Sequence, residues 1–135
     1  MNILVTGGAG YIGSIVVEKL IGNNSIIVID DLRDGQRKAV HQDAVFIESD
    51  FGDVAVLEEI FQNYKISTVM HFAASANVPL SVKHPMEFYI NNVIGSINLL
   101  NMMVKYNVLN IIFSSSAAVY GEPKYTPIDE KHPLQ

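Results

Sequence analysis

The 135 residues contain no cysteine. Disulfides, thiolate nucleophiles and cysteine zinc sites are therefore excluded, and no metal site is expected. There is no basic run either: 9 Lys and Arg stand against 14 Asp and Glu, a net charge of −5. That balance argues against nucleic acid or an anionic membrane surface as the main partner. No apolar run approaches the length of a membrane span. No repeat, low-complexity tract or linker interrupts the chain. The first apolar segment begins at Asn2 and leaves no room for a signal peptide, so a cytoplasmic protein is the expectation. Apolar residues make up 49% of the chain and charged residues 17%, the balance of one globular domain large enough to bury a core.

One stretch organises what remains. Thr6-Gly7-Gly8-Ala9-Gly10-Tyr11-Ile12-Gly13 lies between the apolar run Ile3-Leu4-Val5 and an apolar-periodic segment from Ile12 to Leu20. That order reads strand, tight turn, helix. Gly8-x-Gly10-x-x-Gly13 and Gly7-x-x-Gly10-x-x-Gly13 run through the same residues. Such spacing supplies a sharp turn, a backbone that a pyrophosphate can approach, and close helix–strand packing. The helix N-terminus adds free N–H groups and partial positive charge. A glycine turn can also be purely structural; the flanking strand and helix are the context a nucleotide site requires.

Strands are predicted at about 2–6, 25–29, 44–47, 68–72 and 110–113. Helices are predicted at about 11–21, 54–64 and 85–106. In the first helix, Ile12, Ile15, Val16 and Leu20 form the expected inward face. Asp53 is the expected N-cap of the second, with Val54, Leu57, Phe61 and Tyr64 at helical spacing. In the third, Met86, Ile90, Val93, Ile97, Leu100 and Val104 are the expected core face. Ile94, Leu99, Met102 and Met103 add apolar surface, so a core helix and a subunit interface are both open readings. After Ser114, Gly121, Pro123, Pro127 and Pro133 speak against regular structure. Alternating strands and helices predict an α/β fold. It is a doubly wound, Rossmann-type parallel sheet in the order 3-2-1-4-5, with its ligand at the carboxyl ends of strands one and four.

The groups at those ends are candidates. Asp30 lies 20 residues after Gly10. It could accept both ribose hydroxyls of an adenosine and repel a 2′-phosphate, which favours NAD over NADP; it could also cap a loop. Asp50 and Phe51 could flank an adenine. Phe72, Ala73, Ala74 and Ser75 offer small residues against which a cofactor could lie. His71, ending an apolar strand, reads as a hydrogen-bonded core histidine rather than a catalyst. One of Ser114, Ser115 and Ser116 could face the reacting end of the cofactor, or all could simply end the strand. Asn91, a poor helix former inside a helix, could reach toward strand four or face solvent.

Together these segments resemble the extended short-chain dehydrogenase/reductase family, and within it the UDP-glucose 4-epimerase branch. The matching stretches are Thr6 to Ser14, Asp30-Asp31-Leu32, Asp50, His71-Phe72-Ala73-Ala74, Tyr89-x-Asn91-Asn92-Val93-x-Gly95 and Phe113 to Gly121. The resemblance implies NAD as cofactor, with Gly7, Gly10, Tyr11, Ile12 and Gly13 at the pyrophosphate. It implies Asp30 at the adenosine ribose, with Asp31, Leu32, Asp34 and Gly35 close by. Asp50 and Phe51 would border the adenine, Phe72, Ala73 and Ala74 the cofactor channel, and Asn91 would order the nicotinamide side. Ser116 would be the catalytic serine, bonding the reacting sugar hydroxyl. Many such epimerases carry a lysine where this chain has Ala76. The family acts on UDP-sugars by removing hydride from C4, turning the 4-keto sugar over and returning hydride. It pairs subunits through the helix matching 85–106. The related dehydratases carry an Asp-Glu pair where this chain has Ala117-Ala118, which speaks against dehydration.

The base in that family is a tyrosine with a lysine four residues later on one helix. Here Tyr120-Gly121-Glu122-Pro123-Lys124 has that spacing, but its glycine and proline oppose a helix. The expectation is therefore an incomplete NAD-binding domain over residues 1–135, without the remaining strands or a substrate domain, and inactive alone. A non-catalytic NAD(H)-binding module and another nucleotide-sugar epimerase or dehydratase are the alternatives.

Overall fold

The computed structural model describes residues 1–135. Five parallel strands form one sheet: β1 (Asn2–Thr6), β2 (Ser25–Asp30), β3 (Val45–Glu48), β4 (Thr68–His71) and β5 (Asn110–Phe113). Their spatial order is β3-β2-β1-β4-β5, as expected from right-handed crossovers. Leu4 sits opposite Ile27 on one side and Val69 on the other.

Strand alternation sends successive side chains to opposite faces. Leu4, Ile27, Ile29 and Val69 belong to one core, shared with α2 (Val54–Tyr64) and α5 (Gly95–Lys105). Ile3, Val5, Ile26 and Val28 belong to the other, against α1 (Tyr11–Leu20). Both faces are covered, which explains why β2 reads as an unbroken apolar run. Asp53 caps α2 as expected, accepting from the backbone N–H groups of Ala55 and Val56 at 2.9 and 3.2 Å. Ile60, outside the expected apolar set, is as deeply buried as Leu57.

Two helix faces differ from expectation. In α1, Gly13 and Val17 are buried, while Ile12 and Ile15 are exposed. The close approach that Gly13 permits rotates that side inward. The expected third helix is a composite of α4 (Pro85–Phe88), a π turn (Tyr89–Ile94) and α5. Its buried residues are Asn91, Gly95, Leu99, Met102 and Met103. The expected core stripe of Met86, Ile90, Val93, Ile97, Leu100 and Val104 is exposed. The reason is steric: a Cβ on Gly95 would stand 3.0 Å from the Phe51 ring, so a glycine is what lets the helix approach there, and the stripe that shares its side, through Leu99, turns inward. A further short helix, α3 (Val78–Lys83), lies outside the expected set; Asn77 caps it by accepting from the Leu80 N–H at 3.1 Å.

At the sheet margin, Ile111, Ile112 and Phe113 of β5 are exposed. Beyond them Ala117–Tyr120 form a 3₁₀ turn, and no helix spans 120–124. Tyr120 and Lys124 are therefore not one turn apart on a helix, in keeping with their glycine and proline.

Candidate functional site

The carboxyl ends of β1, β2 and β4 open into a cleft of about 210 Å³. Sites that engulf a small molecule measure roughly 300–1,000 Å³, so a long ligand would lie along this groove with one side open.

Its floor is the glycine turn. Gly7 leaves β1 at φ +71°, a conformation that suits glycine, and its N–H donates to the Ile29 carbonyl at 3.0 Å. A Cβ on Gly7 would stand 2.7 Å from the Ala73 nitrogen, and one on Gly13 would collide with the Gly7 carbonyl oxygen. The turn therefore offers bare backbone to the cleft, and α1 starts directly beyond it. Gly10 occupies the N-cap position and no side chain caps the helix. Its first-turn N–H groups are the kind that receive an anion.

Asp30, at the end of β2, is buried. One carboxylate oxygen accepts from the Ala9 N–H at 3.0 Å, the other from the Leu32 N–H at 2.9 Å. It thus clips the glycine turn to the loop after β2 and still lines the cleft. The two readings of Asp30, loop cap and ligand contact, are compatible because each oxygen has a second acceptor site.

From β4, the Phe72 N–H donates to the Thr6 carbonyl at 3.1 Å, and Ala73 donates to Thr6 Oγ1 at 3.3 Å. His71 is a core histidine: its Nδ1 pairs with Thr6 Oγ1 at 2.6 Å and its Nε2 with Ser96 Oγ at 2.9 Å. Ser96 donates its own proton to the Asn92 carbonyl, at 2.6 Å. That assigns the proton of the neutral imidazole to Nε2, with Thr6 donating to Nδ1. Burial lowers the His71 pKa to about 4, so the ring stays neutral near pH 7.

The cleft gathers most of the sequence candidates. Gly7, Gly10, Tyr11, Asp30, Asp31, Asp34, Gly35, Phe51, Phe72, Ala73, Ala74 and Asn91 all line it. Ile12, Gly13, Leu32, Asp50 and Ser116 do not. Gly13 acts from behind, by letting α1 approach. Asp50 accepts from the Gly52 N–H at 2.7 Å, and Ser116 Oγ accepts from the Ala118 N–H at 3.1 Å as the cap of its 3₁₀ turn. Ser114 continues the ladder from β5, donating its N–H to the His71 carbonyl at 3.0 Å.

Three residues carry more than their sequence positions suggest. Asn92, rather than Asn91, holds the segment that follows β4: it accepts from the Ser75 N–H at 2.8 Å and donates to the Ser75 carbonyl at 2.9 Å. Asn91 is buried and accepts instead from Arg33 at 3.0 Å. Arg33 and Ser75 both line the cleft. The signal for Arg33 is its place between Asp31 and Asp34, in a loop whose acids alone stand out by motif. Arg33 also pairs with Asp31 at 2.5 Å. Partial burial pushes the Asp31 carboxyl up, yet its bonds to the Arg33 side chain and N–H outweigh that and hold it below the usual range. The bond to Asp31 likewise raises the Arg33 pKa.

A profile of the NAD dependent epimerase/dehydratase family matches residues 3–135. The chain is 50% identical over 135 residues to a UDP-glucose 4-epimerase of Lactobacillus helveticus, covering 99% of this chain and 41% of that protein. A UDP-glucose 4-epimerase of Thermotoga maritima, solved with UDP-glucose, superposes with a TM-score of 0.87 at 42% identity, covering 100% of this chain and 45% of that one. A UDP-glucose 4-epimerase of Brucella ovis, solved with NAD, does so with a TM-score of 0.85 at 42% identity, covering 99% and 41%. The chain thus spans about two fifths of the length of the first curated relative, at 41%. With the glycine cradle, the sheet order and this match over nearly every residue in agreement, the chain belongs to the NAD dependent epimerase/dehydratase family.

Proposed function

We propose that this chain is the NAD-holding part of a UDP-glucose 4-epimerase, which as a whole interconverts UDP-glucose and UDP-galactose through a 4-keto sugar. The observation that carries the reading is the cradle of Gly7, Gly10 and Gly13, where a side chain on Gly7 or Gly13 would collide with backbone and an uncapped helix start faces the cleft. These residues fit a dinucleotide: the turn and α1 would hold its pyrophosphate, and Asp30 an adenosine ribose. Phe72, Ala73 and Ala74 would line its path, with Asn91 toward the nicotinamide end. When bound, the nicotinamide supplies an acceptor and donor of hydride. Ser116 would bond the sugar hydroxyl. The family-type tyrosine base needs a lysine one helical turn away, and Tyr120 and Lys124 share no helix. The chain alone would therefore bind NAD without turning over UDP-galactose.

Isothermal titration with NAD and NADP tests this. Saturable binding of NAD, at least tenfold tighter than NADP, is the expected result, because Asp30 would face the 2′-phosphate. No heat with millimolar NAD would remove the reading. Conversion of UDP-galactose by the purified chain would remove the inactivity claim. The alternative, a non-catalytic NAD(H)-binding module, is favoured by the same non-helical Tyr120–Lys124 segment. The reading frame beyond codon 135 separates the two: a helical Tyr-x-x-x-Lys downstream supports the epimerase. The exposed stripe of Ile90, Val93, Ile97 and Leu100 would bury itself in a homodimer. A cytoplasmic location and a role in galactose metabolism accord with the same reading.

A further inference from the structure

We infer that Arg33 is a phosphate-binding residue of this cleft, reaching a dinucleotide pyrophosphate from the side opposite the glycine turn. The inference rests on the dinucleotide reading of the site and adds a contact to it. Arg33 leaves the loop after β2, yet its guanidinium donates to Ser75 Oγ beyond β4, at 3.3 Å, and to Asn91 Oδ1, at 3.0 Å. In the sheet, β1 lies between β2 and β4. The side chain therefore spans the carboxyl end of β1, the edge on which the glycine turn presents its bare backbone.

Charge points the same way. Asp30, Asp31 and Asp34 line the cleft, and Arg33 is its one cationic side chain. A pyrophosphate entering there meets three carboxylates. The start of α1 offers about half an elementary charge in return. Arg33 supplies a full charge that it cannot shed and a planar fork matched to phosphate oxygens. Its present partners are cheap to exchange. The Arg33 side chain is 52% exposed and that of Asp31 33%, so their pairing is weak. The bonds to Ser75 and Asn91 are neutral acceptors that a phosphate outcompetes.

Titrations of the chain and its variants with NAD, ADP and adenosine test the assignment. Arg33→Met should weaken NAD and ADP about tenfold or more, the usual scale for a lost charge-assisted bond. Adenosine, which lacks the phosphates, should change less than twofold. Arg33→Lys, which keeps the charge without the fork, should fall between. The salt dependence of ADP binding should flatten in Arg33→Met, and unfolding midpoints of all variants show that the fold is kept. Equal loss for adenosine and ADP would make Arg33 a scaffold for the loop and overturn the assignment. ADP binding unchanged in Arg33→Met would overturn it alone, leaving the dinucleotide site standing. Failure of the unaltered chain to bind NAD or ADP would overturn both.

Discussion

Gly7 and His71 show how single residues set the site. Gly7 combines positive φ with a Cβ position 2.7 Å from the Ala73 nitrogen. Gly7→Ala must therefore accept a left-handed backbone, worth about 1–2 kcal/mol, and also push the glycine turn away from the chain at Ala73. We expect a loss of roughly 2–4 kcal/mol in urea unfolding, within the range for strain at a special backbone position. His71 predicts a pH dependence. Its folded pKa of about 4 lies below the unfolded value of roughly 6.5. As pH falls between those values, the unfolded chain takes up the proton first and stability declines; below about 4 this contribution levels off. The full loss is on the order of 3 kcal/mol. Unfolding curves at pH 7 and pH 4.5 should show it, and His71→Gln should lose that share of the pH dependence. Equal slopes in both proteins would refute the assignment.

At the scale of elements, the helix from Pro85 to Lys105 carries two apolar stripes. Hydrophobicity favours the one through Ile97; geometry buries the one through Leu99, because Gly95 must sit against Phe51. The two positions should respond oppositely. Leu99→Ala should cost about 2–5 kcal/mol, as for a fully buried leucine. Ile97→Asp should change unfolding by no more than about 0.5 kcal/mol while weakening any self-association seen in sedimentation velocity. A large stability loss at Ile97 in a monomeric protein would contradict the face assignment. The π turn places Asn91 inward, where it meets Arg33. Such turns often occur at functional sites.

The molecule as a whole covers both sheet faces over its central strands and leaves an apolar margin at β5. Ile112 is 52% and Phe113 61% exposed on that strand. Uncovered strand edges pair with other chains unless a charge or proline blunts them. Ile112→Lys should therefore raise the concentration at which light scattering first appears, at least twofold, with NAD binding unchanged. An unaltered scattering threshold would show that β5 does not drive association. The acid balance of the chain matters at this scale too. Three of its carboxylates line the cleft, and one arginine answers them.

Much of this was legible in the residues because it depends on local rules. The strand–glycine–helix order, the N-cap at Asp53, the five strands within a residue or two, and their order follow from periodicity, turn chemistry and crossover handedness. So do most cleft residues, since a parallel sheet presents its ligand groups at the strand ends. What only the tertiary structure decided were choices between equivalent local options. Periodicity shows that a helix has apolar stripes but not which one finds a partner; Gly95 against Phe51 settled that for α5, and Gly13 against Gly7 for α1. A hydrogen-bonding side chain shows its capacity but not its distant mate. Hence Asn92 rather than Asn91 holds Ser75, and Arg33 crosses 58 positions of sequence to reach Asn91.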